Sequence, residues 1–124
     1  MNDLIINETR STPKIVLNSK GTIDIVGKSY PENTFVFYAP VVEWIKEYFD
    51  ADTPEIITVN LELIYFNSGS SKQFYEFFDL FSQYNDKYTI NINWIYDEDN
   101  DVIEEIGEDL QDDFEDLNIV LSKK

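Results

Sequence analysis

Residues 56–96 read IITVNLELIYFNSGSSKQFYEFFDLFSQYNDKYTININWIY, and their hydrophobic periodicity predicts a strand, a helix and a second strand. In the first strand, 56–66, apolar residues alternate with polar ones, and the second strand, 88–96, repeats the alternation. A strand covered on both faces would read as a continuous apolar run instead. We therefore expect a sheet with one face buried under helices and the other face open to water.

The helix between these two strands carries an aromatic stripe. Residues 69–84 place four phenylalanines at the i, i+3, i+4 and i+7 positions of one face: Phe74, Phe77, Phe78 and Phe81. This spacing is typical of a face buried in the core, and we prefer that interpretation to a ligand-binding box. A strand, a helix and a strand in this order predict a β-α-β unit with parallel strands and a right-handed crossover.

Further elements are predicted on both sides of this unit. They are strands at 15–17 and 23–26 around a Lys20-Gly21 turn, a helix from Asn33 to about Phe49, a break at Asp52-Thr53-Pro54, a helix over 101–113 and a last strand over 117–121. Pro40 predicts a kink or a restart in the first helix, because proline lacks the N–H that the helix needs. In the last helix we expect Val102, Ile106 and Leu110 to point inward. The order indicates an α/β fold, with a mixed sheet that carries its helices mainly on one face, in a single domain over 1–124.

The composition excludes several chemistries. The 124-residue chain has no His and no Cys, which excludes disulfides, thiolate nucleophiles, Cys-ligated zinc and a Ser-His-Asp triad. With 25 Asp and Glu against 9 Lys and Arg, its net charge of −16 argues against nucleic acid and anionic membrane surfaces as partners. The chain has no apolar run of transmembrane length and no signal-peptide pattern at its start. We therefore expect a cytoplasmic protein without membrane insertion.

The acidic residues are concentrated towards the carboxyl end. Residues 97–116 hold 12 of the 25 Asp and Glu and no Lys or Arg. Four of these carboxylates follow the spacing of calcium ligands in an EF-hand loop: Asp97, Asp99, Asp101 and Glu108. However, Val102 stands where that loop needs glycine, and a strand precedes the loop instead of a helix. A turn with acidic residues at a helix N-terminus, which the helix dipole favours, is the competing interpretation.

The junction between the first strand and the aromatic helix offers several hydroxyls. It reads Asn67-Ser68-Gly69-Ser70-Ser71-Lys72, and a phosphate attached there would be stabilised by the unpaired N–H groups and the dipole of the helix N-terminus. Lys72 lies in or near the first turn and could pair with that phosphate. The alternative is that Ser68 or Ser70 only caps the helix. The segment is not a P-loop, because the spacing GxxxxGK[ST] is absent.

Polar side chains line the expected open face of the sheet. They are Thr58, Asn60, Glu62, Asn91 and Asn93. Acid–base catalysis by paired carboxylates needs groups that converge in a pocket, and Glu62 is the only carboxylate in these two alternating sets. A hydrated face or an interaction surface is therefore a better interpretation than a catalytic dyad.

Four short motifs stand in order along nearly the whole chain. They are Ser11-Thr12-Pro13, Ser29-Tyr30-Pro31-Glu32-Asn33, Tyr65-Phe66-Asn67-Ser68-Gly69-Ser70-Ser71-Lys72 and Asn91-Ile92-Asn93-Trp94-Ile95-Tyr96-Asp97. Together they resemble the SiaC family of bacterial regulatory phosphoproteins. The resemblance implies a fold similar to STAS domains, in which a mixed sheet carries its helices largely on one face. It also implies a non-enzymatic partner-switch protein that needs no cofactor.

The resemblance further implies a phosphorylation cycle. In that family a GHKL-type kinase phosphorylates a hydroxyl residue, a PP2C-like phosphatase reverses this, and the unphosphorylated form stimulates a diguanylate cyclase that controls cyclic-di-GMP and biofilm behaviour. The matching acceptor is Ser68, where the family pattern has Thr, and Gly69 stands where it has Ser, so Ser70 and Ser71 remain alternative acceptors. The motifs assign the phosphate and partner environment to six residues: Asn67, Gly69, Lys72, Tyr30, Glu32 and Asn33.

Three functions therefore compete at this point. The first is a phosphorylation-gated switch, in which a phosphate on Ser68 repels an acidic or apolar group of the output protein. The second is a small carboxylate- or metal-dependent enzyme, or a calcium-binding module, that uses Asp97, Asp99 and Asp101. The third is an interaction module that binds its partner constitutively, without phosphorylation.

Overall fold

The computed structural model describes residues 2–51 and 55–124, so the predicted break at Asp52-Thr53-Pro54 lies outside the described residues. Within those ranges it contains six strands and three helices. The strands are β1 (Leu4–Ile6), β2 (Lys14–Asn18), β3 (Thr22–Ser29), β4 (Ile56–Phe66), β5 (Thr89–Tyr96) and β6 (Asn118–Lys123). The helices are α1 (Thr34–Asp50), α2 (Ser68–Tyr84) and α3 (Asp101–Asp113).

The strands form one mixed sheet in the order β1-β2-β3-β4-β5-β6. The β1–β2 and β2–β3 pairs are antiparallel, whereas β3, β4, β5 and β6 run parallel to one another. The predicted turn between β2 and β3 is confirmed, and it requires Gly21 because the backbone there has a φ of 114°. The short edge strand β1 was not predicted, because three apolar residues carry too little periodic signal.

One face of the sheet is buried and the other is open, as the alternation predicted. The inward residues of β4 are Ile57, Val59, Leu61 and Leu63, which are all buried. The intervening Thr58, Asn60 and Glu62 are only partly covered and lie on the opposite face. The expectation of an α/β fold with its helices mainly on one face is therefore confirmed.

The aromatic stripe of α2 forms the centre of the core. Phe74, Phe77, Phe78 and Phe81 are all buried, which confirms the core interpretation. They pack edge-on or tilted against rings from the neighbouring elements, including Tyr38 of α1 and Phe114 after α3. This packing holds α2 between α1 and the segment after α3, and Phe74 also meets Phe66 at the end of β4 edge-on.

Helix α1 runs through Pro40 without interruption, so the predicted restart there is wrong. Proline removes the hydrogen bond to the carbonyl of the residue four positions earlier, which is Val36. Val36 lies at the exposed start of the helix, where water can satisfy that carbonyl. Burial of Tyr38 and Val41 on either side of Pro40 holds the helix together.

Helix α3 is rotated relative to the prediction. Val102 is 65% exposed instead of buried, and the inward residues are Ile103, Gly107 and Leu110. A Cβ at Gly107 would lie 2.5 Å from Cδ1 of Trp94, so the glycine allows the helix to rest directly on this ring. Glycine adds nothing to a hydrophobic periodicity. The prediction for this face was therefore wrong for Val102 and right for Leu110, and Ile106 is half-buried against the core.

Candidate functional site

The strand–helix junction after β4 is capped by asparagine rather than by serine. The Asn67 side-chain oxygen Oδ1 accepts a hydrogen bond from the Ser70 N–H at 2.9 Å, and the Asn67 N–H donates to the Ser29 carbonyl at 3.1 Å. The alternative that Ser68 or Ser70 caps the helix with its side chain is therefore wrong. Ser68 is the first residue of α2, and its hydroxyl is not used for capping.

The three candidate serines differ in exposure. Ser68 is exposed, Ser71 is half-buried, and Ser70 has 0% exposed surface. The Ser70 Oγ lies 2.8 Å from the Ser29 Oγ in the interior. A kinase that used Ser70 would first have to open the initial turn of α2 and break this contact, whereas Ser68 is accessible without any rearrangement.

A buried polar network lies directly beneath the exposed serine. The Ser29 Oγ contacts both the Ser70 Oγ and, at 2.6 Å, the phenol oxygen of Tyr38. These contacts join the end of β3, the second turn of α1 and the start of α2. Desolvation raises the pKa of the Tyr38 phenol from 10.0 to about 12, against the smaller lowering effect of its hydrogen bond with Ser29. Sequence reasoning missed this network, because polar residues on three separate elements give no local signal.

The shifted Tyr38 pKa predicts a loss of stability at alkaline pH. Above about pH 10 the unfolded chain releases the phenol proton while the folded chain keeps it up to about pH 12, so deprotonation favours unfolding in that window. Tyr38 should lower the free energy of unfolding by about 1.4 kcal/mol per pH unit there. Urea denaturation between pH 9 and about pH 12 measures this slope.

The matched variants separate ionisation from packing. Tyr38→Phe should unfold with a shallower alkaline slope than the wild type, whatever its stability at neutral pH. Ser29→Ala removes the hydrogen-bond partner but keeps the buried phenol, so it should retain the Tyr38 contribution to the slope. An unchanged slope in Tyr38→Phe would contradict the prediction.

The N-terminus of α1 lies against the N-terminus of α2. A Cβ at Gly69 would lie 2.6 Å from Thr34 Oγ1, so glycine at this position allows the two helices to approach closely. Asn33 caps α1, as predicted, because its side-chain oxygen accepts from the Val36 N–H at 3.1 Å. The structure thus brings Asn33, Asn67 and Gly69 together, and Glu32 is exposed beside them in the chain.

Lys72 and Tyr30 occupy different surroundings. Lys72 is exposed and follows Ser68 by four residues in α2, so both side chains lie on the same face of the helix. Tyr30 follows β3, where its hydroxyl donates to the Arg10 carbonyl at 2.8 Å and its ring meets Tyr65 edge-on at 5.7 Å. Lys72 therefore lies one helical turn from Ser68, whereas Tyr30 anchors the N-terminal segment beside the end of β4.

A groove between α1 and α2 extends away from this junction. Two adjoining cavities, of about 310 and about 250 Å³, share four lining residues: Val42, Lys46, Gln73 and Glu76. Phe35 forms one end of the groove and is 77% exposed. Exposed aromatic and aliphatic side chains beside a groove are typical of surfaces that bind another protein.

The acidic turn after β5 contains Asn100, which caps the N-terminus of α3. Asn100 Oδ1 accepts from the Ile103 N–H at 3.3 Å, and Asn100 Nδ2 donates to the Ile64 carbonyl at 3.0 Å. Among residues 2–51 and 55–124, no group of three or more carboxylates is placed to hold a metal ion. The EF-hand-like spacing of Asp97, Asp99 and Asp101 is therefore not matched by a ligand arrangement. In the same part of the chain, no helix has the length and apolarity required to cross a membrane.

A known protein family matches nearly the whole chain. Residues 6–124 match the sequence profile described as SiaC family regulatory phosphoprotein. This chain belongs to the SiaC family. The resemblance seen in the four motifs is therefore confirmed, and the chain is a member of a family of regulatory phosphoproteins.

Individual relatives of this SiaC-family chain come from Pseudomonas aeruginosa. An uncharacterized protein of that organism is 32% identical over 115 residues, which cover 91% of this chain and 90% of the relative. A solved structure of SiaC is 27% identical, with a TM-score of 0.90 and full coverage of both chains. SiaC in complex with the diguanylate cyclase SiaD, which it activates, is 27% identical with a TM-score of 0.88, and covers 98% of this chain and 100% of SiaC.

Proposed function

We propose that this protein is a non-enzymatic partner switch in which Ser68 is the reversible phosphorylation site. The observation that carries the proposal is the exposure of Ser68 as the first residue of α2, next to a buried Ser70 and a half-buried Ser71. Family membership supports a phosphoprotein, and the position of Ser68 supports an acceptor that needs no unfolding. Ser71 is the next most accessible alternative, and Ser70 the least.

The proposed cycle involves two enzymes. A GHKL-type kinase transfers the γ-phosphoryl group of ATP to the Ser68 Oγ, which loses its proton as ADP leaves. A PP2C-like phosphatase then hydrolyses the phosphoester with water and releases inorganic phosphate. The switch protein supplies only an accessible hydroxyl, so the lack of His and Cys is no obstacle to this role.

The phosphate would act through local charge and solvation. It adds about −1.5 to −2 charges at the N-terminus of α2, where the helix dipole and Lys72 stabilise it. The exposed apolar side chains of Phe35 and Val36 lie at the neighbouring helix start, which touches Gly69. A partner that buried these side chains would also have to desolvate the phosphate, so phosphorylation should weaken its binding.

The output protein that best fits is a diguanylate cyclase. SiaC of Pseudomonas aeruginosa activates the diguanylate cyclase SiaD and has been solved in complex with it. The common fold supports an equivalent partner here, through which the unphosphorylated form would raise cyclic-di-GMP and influence biofilm behaviour.

A phosphomimetic variant tests whether negative charge at Ser68 weakens partner binding. Ser68→Asp should bind the diguanylate cyclase of the same organism at least about tenfold more weakly than the wild type, which corresponds to about 1.4 kcal/mol. Ser68→Ala should bind like the wild type. Isothermal titration calorimetry with the purified cyclase measures both affinities.

A control with the same added charge is available at the opposite end of the parallel strands. Thr89 is exposed at the start of β5, whereas Ser68 follows the end of the parallel strand β4. Thr89→Asp should therefore leave the affinity unchanged. Wild-type affinity in Ser68→Asp would contradict the control of partner binding by phosphorylation at Ser68.

A further inference from the structure

A second apolar surface is separate from the groove between α1 and α2, with which it shares no lining residue. It is a cleft of about 290 Å³ between the end of β4 and the start of α3, which we name the α3 cleft. Its most exposed lining residues are Ile64, Tyr65 and Val102, which are 49%, 53% and 65% exposed, and Ile106 lies deeper. Large hydrophobic side chains that share one concave surface indicate an interaction site more strongly than scattered ones do.

The walls of the α3 cleft are held in place by the fold. The β4–β5 pairing ends at Glu62 and Ile95, so the last residues of β4 project beyond β5 and stand beside α3. The Asn100 side chain, which caps α3, also donates to the Ile64 carbonyl and thereby joins the two walls. A preformed cleft of this kind loses little conformational entropy when a partner side chain enters it.

The rim of the α3 cleft is acidic on its α3 side, whereas Lys28 of β3 pairs beside Tyr65 on the other side. Glu105 and Asp109 are exposed on α3 and follow Val102 and Ile106 by three residues, which places each carboxylate one turn along the same face. The residues of α3 and its preceding turn that line the cleft belong to the segment 97–116, which contains 12 acidic residues and no Lys or Arg. The cleft therefore combines an apolar floor with a negative border.

We propose that the α3 cleft docks a basic segment of a partner protein. An aliphatic side chain of that segment would occupy the apolar floor, and flanking Lys or Arg residues would face the acidic rim. Charge argues against the other occupants, because a second copy of this chain at −16, a nucleic acid and an anionic lipid surface would all bring further negative charge to the acidic α3 side. This docking goes beyond the Ser68 switch, since it requires no phosphate.

Nuclear magnetic resonance of the full ¹⁵N-labelled chain tests the proposal. The probe is a synthetic Lys/Arg-rich peptide with one central leucine, and its counterpart carries serine instead of that leucine. The leucine peptide should shift the amide signals of Ile64, Val102 and Ile106. The serine peptide should bind at least about tenfold more weakly, and added salt should weaken both.

A pair of matched variants completes the test. Val102→Lys should reduce the affinity for the leucine peptide at least about tenfold, whereas Val120→Lys, at an exposed valine of β6, should leave the cleft signals and the affinity nearly unchanged. Equal binding of the two peptides, absence of shifts at the cleft, or wild-type affinity in Val102→Lys would overturn the proposal. Because Ser68→Ala should retain peptide binding, a failure of the docking site and a failure of the phosphorylation switch give different results.

Discussion

A Ser68→Ala variant is expected to accept no phosphoryl group from the kinase that phosphorylates the wild-type chain. The substitution removes the only atom of residue 68 that could form the phosphoester, and the neighbouring Ser70 hydroxyl is buried against Ser29. The fold should survive, because Ser68 is exposed and Asn67 supplies the helix cap. A change in unfolding free energy within about 0.5 kcal/mol is expected for such a surface substitution.

Intact mass spectrometry after incubation with kinase and ATP measures the result. Ser71→Ala is the matched control, because it removes a hydroxyl from the same helix turn and should leave phosphorylation at the wild-type level. If Ser68→Ala still gained a phosphoryl group, the acceptor would be another residue, and peptide mapping would show whether it is Ser71 or Ser70. That outcome would refute the assignment of Ser68.

The largest effect on stability is expected from Trp94→Ala, at about 3–5 kcal/mol of unfolding free energy. The indole is 1% exposed, and its Nε1 donates to the Ile103 carbonyl at 2.8 Å in the interior. The ring also supports α3 directly at Gly107 and meets Phe66 edge-on. Removing it leaves a cavity between the sheet and α3, and the loss is a large part of the 5–15 kcal/mol that usually stabilises a domain.

Urea denaturation followed by circular dichroism measures this loss. Trp94→Phe keeps much of the apolar volume and loses the hydrogen bond, so it should cost less than Trp94→Ala. Val120→Ala, at an exposed position of the next strand, should change the stability by no more than about 0.5 kcal/mol. A loss below about 1 kcal/mol in Trp94→Ala would mean that α3 does not depend on this ring.

Local periodicity was sufficient to predict much of the fold. Strands β4 and β5 and helix α2 were predicted because each has a long, regular apolar pattern whose period corresponds to a single geometry. The predicted cap at Asn33 was also confirmed, since capping involves only residues within one helical turn. The position of Ser68 at a strand–helix junction followed from the same local patterns.

Contacts between distant segments could not be predicted from these local patterns. The network of Ser29, Tyr38 and Ser70 joins three elements, and only their packing shows that Ser70 is hidden while Ser68 is accessible. Likewise, Val102 lies on the surface and lines the α3 cleft because Gly107 fits against Trp94, a contact between a helix and a strand.

The amino-acid sequence alone determined the α/β class, the hydrophobic faces of β4, β5 and α2, the net charge of −16 and the candidate acceptor serines. The tertiary structure decided which serine is accessible, which face of α3 is buried and where apolar surface remains exposed. The physical reason is that hydrophobic patterns reflect burial averaged over one element. Accessibility depends instead on how closely separate elements approach, and here that depends on small residues such as Gly69 and Gly107.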